Sequence, residues 1–481
     1  MKRQRTRTRL SNQKGFVLVY MAVTLTTLLL FTGLAVDTGR AYVVKAQLTK
    51  AVDGAALAGA RNLNSGNPRA EASRIFDANF PAGYVGTTSV TNPASDPGFF
   101  SVTTDPTTGV NTVTVTASAT VPTTFMRLAN FTDLTVTSSG QATRRMVDLS
   151  LVLDVSSSIG SKWPTVRDAA RTFIDAFDAA HDRVALVMFS NGADVLSPMP
   201  STRGFNKSLL ETDVPQTLPG GSTLMVEGLY RGWDELRSVP NGTQSSLRII
   251  VLFTDGASNG VPGNYDGSGS AKSLRSWDFP KNAIDPDSQT WDSPHIDGLY
   301  DSQTGAQSPA YTLTTPWNSS TTLPAVPLLP LATWETHHRS SGIPTSFPLQ
   351  TSALTVNGVP QSTIRGLRSP DPVTGRFPAQ VYNINNAARN VLEIIANAAR
   401  ADAGGDYPIR IYSIGMSYLI RDLLGTMPEM PEDILKRVSN DKTSPDYNSG
   451  QLAGQYFYAP TADDVGPAFQ NIQNQILRLS K

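Results

Sequence analysis

The chain has 481 residues, equal numbers of acidic and basic side chains and only 17% charged residues. Its length allows two or three domains, and the lack of a net basic field argues against nucleic acid as a partner. Cysteine is absent, which excludes disulfides, thiolate metal sites and cysteine nucleophiles, and only His181, His295, His337 and His338 could supply imidazole.

The first predicted element is a membrane span. A basic tail, residues 1–15, carries Lys2, Arg3, Arg5, Arg7, Arg9 and Lys14 and precedes an uncharged run from Phe16 to Val36. Those 21 residues suffice to cross a bilayer as a helix, and they exceed the apolar core of a cleaved signal peptide. The charge asymmetry predicts a cytoplasmic N-terminus with the rest of the chain outside. A cleaved signal sequence is the competing reading, but no small-residue cleavage pattern follows the run directly. The chain instead continues through Arg40-Ala41-Tyr42 to an Ala-rich stretch, Ala51-Val52-Asp53-Gly54-Ala55-Ala56-Leu57-Ala58-Gly59-Ala60. This predicts a helix extending beyond the membrane over residues 37–61.

Residues 62–146 are rich in Thr, Val and Ser. Thr112-Val113-Thr114-Val115-Thr116-Ala117-Ser118-Ala119 and Leu134-Thr135-Val136-Thr137 alternate with period two, predicting a small antiparallel sheet module. With the preceding helix it has a pilin-like outline. A β-rich spacer is the alternative.

From Val147 the pattern changes to strands alternating with helices. Apolar strands are expected at Val147–Leu153, Val184–Phe189, Arg248–Phe253 and Ile409–Ile414, and helices near Lys162–Ala180, Leu224–Arg237 and Gln380–Arg400. A last helix carries Phe469, Ile472, Ile476 and Leu479 on one stripe. Such alternation indicates a doubly wound, mostly parallel α/β sheet over residues 147–481, which binds ligands beyond the strand carboxyl ends. Residues 256–380 read as an insertion within it. Between Asp255 and Val381 lie 15 of the 33 prolines and four of the six tryptophans, Trp277, Trp291, Trp317 and Trp334. These aromatics either pack the insertion's own core or meet a partner.

Two predicted strands end in aspartate. Asp154 opens Asp154-Val155-Ser156-Ser157-Ser158, Asp255 ends the run from Leu247, and Thr223 lies in Gly220-Gly221-Ser222-Thr223 between them. Carboxylates and hydroxyls gathered at one sheet edge form an oxygen-only set suited to a hard divalent ion, Mg²⁺ first, with Mn²⁺ or Ca²⁺ as alternatives. A rival enzymatic pattern is Gly256-Ala257-Ser258-Asn259-Gly260, a Gly-x-Ser-x-Gly nucleophile sequence after a strand. A nucleophile elbow needs a helix next, whereas Val261-Pro262-Gly263-Asn264 is loop chemistry, and no histidine has a supporting motif. The phosphatase pattern Asp-x-Asp fails at Ser156. Adjacent His337 and His338 seldom point at one ion. The chain therefore reads as a binding protein and not an enzyme.

Two resemblances sharpen this. Gly33-Leu34-Ala35-Val36-Asp37-Thr38-Gly39-Arg40-Ala41-Tyr42 followed by Ala51–Ala60 resembles the N-terminal segment of TadG-like proteins of Tad (Flp) pilus assembly, as do, more loosely, Ser444-Pro445-Asp446-Tyr447 and Tyr456-Phe457-Tyr458-Ala459-Pro460 near the C-terminus. That resemblance implies a membrane anchor running into a long helix. Gln13-Lys14-Gly15-Phe16 resembles a prepilin-peptidase junction, yet Tyr20 stands where pilins carry Glu, so an uncleaved anchor is expected. Asp154-Val155-Ser156-Ser157-Ser158, Gly221-Ser222-Thr223 and Thr254-Asp255-Gly256, in that order, resemble the three metal loops of von Willebrand factor A (vWA) domains. By that resemblance Ser156, Ser158 and Thr223 offer hydroxyls, Asp154 and Asp255 supply charge directly or through water, and one position stays open for a partner's carboxylate. The implied protein is a single-pass component of the bacterial inner membrane, with its C-terminal domain periplasmic or surface-exposed. It would bind a protein ligand, a pilus subunit or the pilus machinery, through the cation. The alternative is a structural anchoring component whose metal only stabilises the fold.

Overall fold

The computed structural model describes residues 14–63, 67–104, 110–265, 271–277, 295–306, 328–329, 331–334, 342–368, 372, 377–423 and 429–479. Trp291, Trp317, His337, His338 and the basic residues before Lys14 lie outside these. The chain divides into two compact units, one ending at Arg144 and the other running from Arg145 to Ser480.

The first unit opens with one continuous helix, α1 (Lys14–Arg61), so the expected extension beyond the apolar run is present. Its apolar part is long enough to cross a membrane, and from Phe16 to Phe31 its side chains are exposed. Burial begins at Gly33 and recurs at Asp37, Ala41, Val44, Leu48, Ala51, Val52, Ala55, Ala56 and Ala60, a stripe at helical spacing. The stripe packs on an antiparallel sheet of β1 (Ser89–Val90), β2 (Phe100–Thr104), β3 (Asn111–Pro122) and β4 (Asp133–Arg144). β3 is central, flanked by β4 on one side and by β2 and β1 in turn on the other. The period-two pattern has the expected effect: Val113, Val115, Ala117, Ala119 and Val121 face the helix.

Sequence reading missed a helix between α1 and the sheet, α2 (Pro68–Asn79), whose short apolar face offers only Ala72 and Phe76 to the core. Its signal was a cap: Asn67 accepts from Ala70 N at 3.1 Å, and Pro68 opens the helix. Asn67→Ala is expected to cost about 1 kcal/mol. Amide exchange should quicken in the first turn of α2 and leave β3 unchanged.

The second unit is built on a six-stranded sheet. Its elements are β5 (Val147–Asp154), α3 (Trp163–Asp175), β6 (Arg183–Phe189), β7 (Ala193–Ser197), α4 (Lys207–Asp213), α5 (Met225–Ser238) and β8 (Leu247–Thr254). The intervening strands are β9 (Gly260–Gly263), β10 (Lys272–Trp277), β11 (His295–Asp301), β12 (Leu328–Leu329), β13 (Ala332–Thr333), β14 (Ser346–Phe347), β15 (Thr355–Val356) and β16 (Val359–Pro360). After α6 (Gln361–Ile364) and β17 (Phe377–Pro378) come α7 (Val381–Ala401), β18 (Ile409–Met416), α8 (Pro431–Val438), β19 (Gln455–Ala459) and α9 (Val465–Leu479). The sheet order is β19-β18-β8-β5-β6-β7, all parallel except the β7 edge. β5 is buried along its whole length, with Leu149, Leu151 and Leu153 facing α3 and α9, and Val152 facing α5 and α7. This is the doubly wound, mostly parallel α/β sheet that the strand runs predicted.

α3 is shorter than its apolar pattern. A 3₁₀ turn over Ser157–Lys162 precedes it, and Asp182 closes a turn beyond it by accepting from Asp178 N at 2.8 Å and from Val147 N at 3.0 Å. The segment after Asp255 is not structureless. β11-β10-β9-β13-β14 form an antiparallel sheet. Trp334, 3% exposed, stacks on Tyr230 of α5 at 4.5 Å between ring centroids and meets Phe347 edge-on at 5.6 Å. This tryptophan is a core residue of the insertion.

Candidate metal centre

The register of β5 and β8 assembles the site. Leu153 pairs with Phe253, which sets Asp154 level with Thr254 and places Asp255 one residue beyond, at the carboxyl edge of the sheet. Asp154 is fully buried and accepts from Ser156 N at 2.8 Å and from Thr254 Oγ1 at 2.6 Å. Ser156 Oγ and Ser158 Oγ lie 3.0 Å apart, and Ser158 Oγ donates to Asp255 Oδ1 at 2.6 Å. Ser156, Ser158 and Asp255 thus form one chain of side-chain oxygens, which Asp154 joins through Ser156 N. Thr223, 8% exposed, lies beside it: a Cβ on Gly256 would stand 3.7 Å from Thr223 Oγ1.

The threonine loop is tied to the serine loop by backbone and side chain. Ser157 N donates to Gly221 O at 2.9 Å, and Gly221 N donates back to Ser157 Oγ at 2.8 Å. Gly221 sits at φ +115, and a Cβ there would press on Asn191, so only glycine suits this approach. Asn191 Oδ1 accepts from Ser222 N at 2.8 Å. Asn259 Oδ1 accepts from Ser222 Oγ at 2.8 Å and from Thr223 N at 3.2 Å. Sequence reading missed these supports, Thr254, Ser157, Asn191 and Asn259. Their available signal was position: Asn191 follows β6 at the same sheet edge, and Asn259 lies within the Gly256–Gly260 motif.

The electrostatics set Asp154 and Asp255 apart from ordinary carboxylates. Burial raises the pKa of both, and the Asp154 charge raises Asp255 further. Asp255 Oδ2 is buried and has no hydrogen-bond partner among the described residues. At the other end of β5, Asp148 is equally buried but fully matched. It takes Arg183 Nη1 at 3.1 Å, Arg203 Nη1 at 3.2 Å and Ser245 N at 2.7 Å. Among the described residues no group of three His, Cys, Asp or Glu side chains could hold a metal ion. A cation here would therefore rest on two carboxylates and hydroxyls. The donor set is all hard oxygen, and an orphan carboxylate oxygen awaits a charge, so the residues fit a divalent ion.

Ser258 is buried, and strand β9 follows it at Gly260 where a nucleophile elbow needs a helix. His181 is engaged with Asp178 at 2.7 Å.

Residues 148–284 match the von Willebrand factor type A domain family, and residues 15–62 match the TadE/G-like Flp pilus-assembly family. Strands β18 and β19 lie beyond the first match yet complete the same sheet. Among solved structures, the chain is similar to the vWF domain of the type V pili tip protein Mfa5 from Porphyromonas gingivalis, at 16% identity, 70% of this chain, 97% of that one and a TM-score of 0.36. It is also similar to the PilB minor pilin from Streptococcus sanguinis, at 14% identity, 79% of this chain, 78% of that one and a TM-score of 0.38. A third is proximal thread matrix protein 1 from the mussel byssus with a zinc-occupied MIDAS motif, at 11% identity, 69% of this chain, 48% of that one and a TM-score of 0.31. By these family matches the chain carries a segment like the TadE/G-like Flp pilus-assembly family at residues 15–62 and a von Willebrand factor type A domain beginning at residue 148.

Proposed function

We propose that this chain binds a divalent cation, Mg²⁺ foremost, through Asp154, Ser156, Ser158, Thr223 and Asp255, and so captures an acidic group of a protein partner in Tad pilus assembly. The observation that carries this reading is Asp255 Oδ2, a buried carboxylate oxygen without a hydrogen-bond partner among the described residues, next to a row of hydroxyls. A bound cation supplies a Lewis-acidic charge that attracts a partner's carboxylate. Asp154, held by Ser156 N and Thr254, fixes the base of the site. Ser156 and Ser158 turn their oxygens along one edge without adding charge, which leaves such a cation under-neutralised. The Ser157–Gly221 pair of hydrogen bonds keeps Thr223 beside them.

The apolar, exposed part of α1 supports a single-pass anchor, with the N-terminus cytoplasmic and the remainder periplasmic or at the surface. Capture of a protein from an envelope extract on the immobilised chain should require Mg²⁺. It should disappear with chelator and in Asp154→Ala, while circular dichroism stays unchanged. Equal capture in both conditions would sink the proposal. A chelator that unfolds the chain without a specific effect on capture would instead favour a structural ion.

A further inference from the structure

The first unit carries an apolar loop that its own core leaves exposed. Between β3 and β4 the chain turns through residues 123–132, where Phe125, Leu128 and Phe131 are 37%, 80% and 59% exposed. Val85, also exposed, lies at the same end of the sheet, because Arg40 donates to both Val85 O, at 2.9 Å from Nε, and Pro122 O, at 3.1 Å from Nη1. Such a cluster on a small unit marks a contact surface.

The place of the loop says what it contacts. Asp37 accepts from Thr124 N at 3.0 Å, Phe125 N at 2.9 Å and Met126 N at 2.8 Å, so one carboxylate pins the loop to α1. One turn earlier Gly33 is buried against Phe125, and a Cβ there would overlap that side chain. Gly33 lies within the uncharged run that ends at Val36, about 4.5 Å inside its end at the helical rise. The loop is therefore clamped across the point where the apolar run stops. Its exposed large side chains, Phe125, Leu128 and Phe131, stand among the exposed polar Thr124, Asn130 and Thr132. The one charged residue within the loop, the exposed Arg127, is basic, and the exposed Asp133 follows the loop at the start of β4. Apolar tips with a neighbouring cation suit the boundary between acyl chains and phosphates.

We propose that this loop is a lipid-contacting wedge: Phe125, Leu128 and Phe131 enter the edge of the hydrocarbon layer in the leaflet where α1 emerges, with Arg127 at the phosphates. The loop gives the first unit a second membrane contact beside α1 and limits its tilt against the bilayer. This rests on the reading of α1 as a membrane span, but not on its direction, because the loop follows whichever face α1 leaves.

The absence of cysteine allows single-site labelling of the full chain. Leu128→Cys, Phe131→Cys, Leu28→Cys in the apolar run, and Thr103→Cys would each carry an environment-sensitive dye. Thr103 pairs with Thr112, ten residues of strand from Pro122, or about 33 Å. In vesicles of phosphatidylcholine with phosphatidylglycerol, emission at positions 28, 128 and 131 should shift to the blue. It should be quenched by lipids with spin-labelled acyl chains, deep labels acting on 28 and shallow ones on 128 and 131, while 103 stays aqueous. Quenching at 28 with 128 and 131 as aqueous as 103 overturns the wedge and leaves the span standing. A blue shift at 128 and 131 without lipid quenching assigns the loop to a protein contact and also overturns it. No quenching at 28 removes the span, and the wedge with it.

Discussion

Asp255→Asn is expected to abolish the stabilisation that Mg²⁺ gives the chain and to make the metal-free chain more stable than wild type. The first effect follows from mass action: an ion at one hundred times its Kd stabilises the folded state by about 2.7 kcal/mol, and a site without that carboxylate loses this gain. The second follows from burial. Asp255 shares the sheet edge with Asp154, and Oδ2 has no hydrogen-bond partner among the described residues. Asparagine keeps an oxygen for Ser158 and removes the buried charge, which is expected to recover about 1–3 kcal/mol in metal-free buffer. Denaturant melts with Mg²⁺ and with chelator separate the two effects. A variant less stable than wild type under both conditions would argue against a cation site.

The same pair gives a pH signature. Burial pushes Asp154 up to about 6, and burial together with the Asp154 charge pushes Asp255 up to about 7. Both folded values lie above the ordinary carboxylate value of 3.8, so protonation favours the metal-free fold. Its contribution to stability is complete below about pH 4 and is lost as pH rises through 6 and 7. Cation binding needs the deprotonated forms, so Mg²⁺ affinity should climb between pH 5 and 8, by up to about tenfold per pH unit for each proton released. Calorimetry in buffers of different ionisation enthalpy would report those protons. Affinity that is flat across this range would place the ion elsewhere.

The strands and the two aspartates of the candidate site were legible for one reason. Strands buried on both faces must be apolar throughout, so β5 and β8 stand out in the sequence, and the aspartates at their ends mark where the apolar run stops. The role of an aspartate within such a run was not legible. Asp148 and Asp154 bound the same strand, and only the fold places Arg183 and Arg203 against the first. Side-chain pairings across long sequence separations were equally hidden. Asp37 meets a loop 87 to 89 residues away, and nothing in local spacing announces it. Composition left Trp334 open between core and partner, and its stacking on Tyr230 depends on where α5 lies under the insertion.

A buried charge cluster in the second unit carries the other large effect. Arg365, which follows α6, donates to Glu393 of α7 at 2.9 Å and to Glu429 at 2.6 Å and 3.1 Å, and Arg437 of α8 donates to Glu393 at 2.6 Å and also meets Glu429. All four side chains are less than a tenth exposed. Burial alone would raise the Glu393 pKa, but Arg365 and Arg437 outweigh it and hold the group at about 2. Its contribution to stability is present above the ordinary value and lost only as pH falls through about 2. Removing one cation from such a set leaves two carboxylates facing a single guanidinium, so Arg365→Met is expected to cost about 3–5 kcal/mol. Adding Glu429→Gln should recover part of that loss, because the second change removes the carboxylate that the first left unmatched. Urea unfolding of the full chain in detergent would measure the cycle. Strict additivity of the two substitutions would mean that the four groups do not act as one unit, and that the segment after β16 is fastened to α7 and α8 by apolar contacts instead.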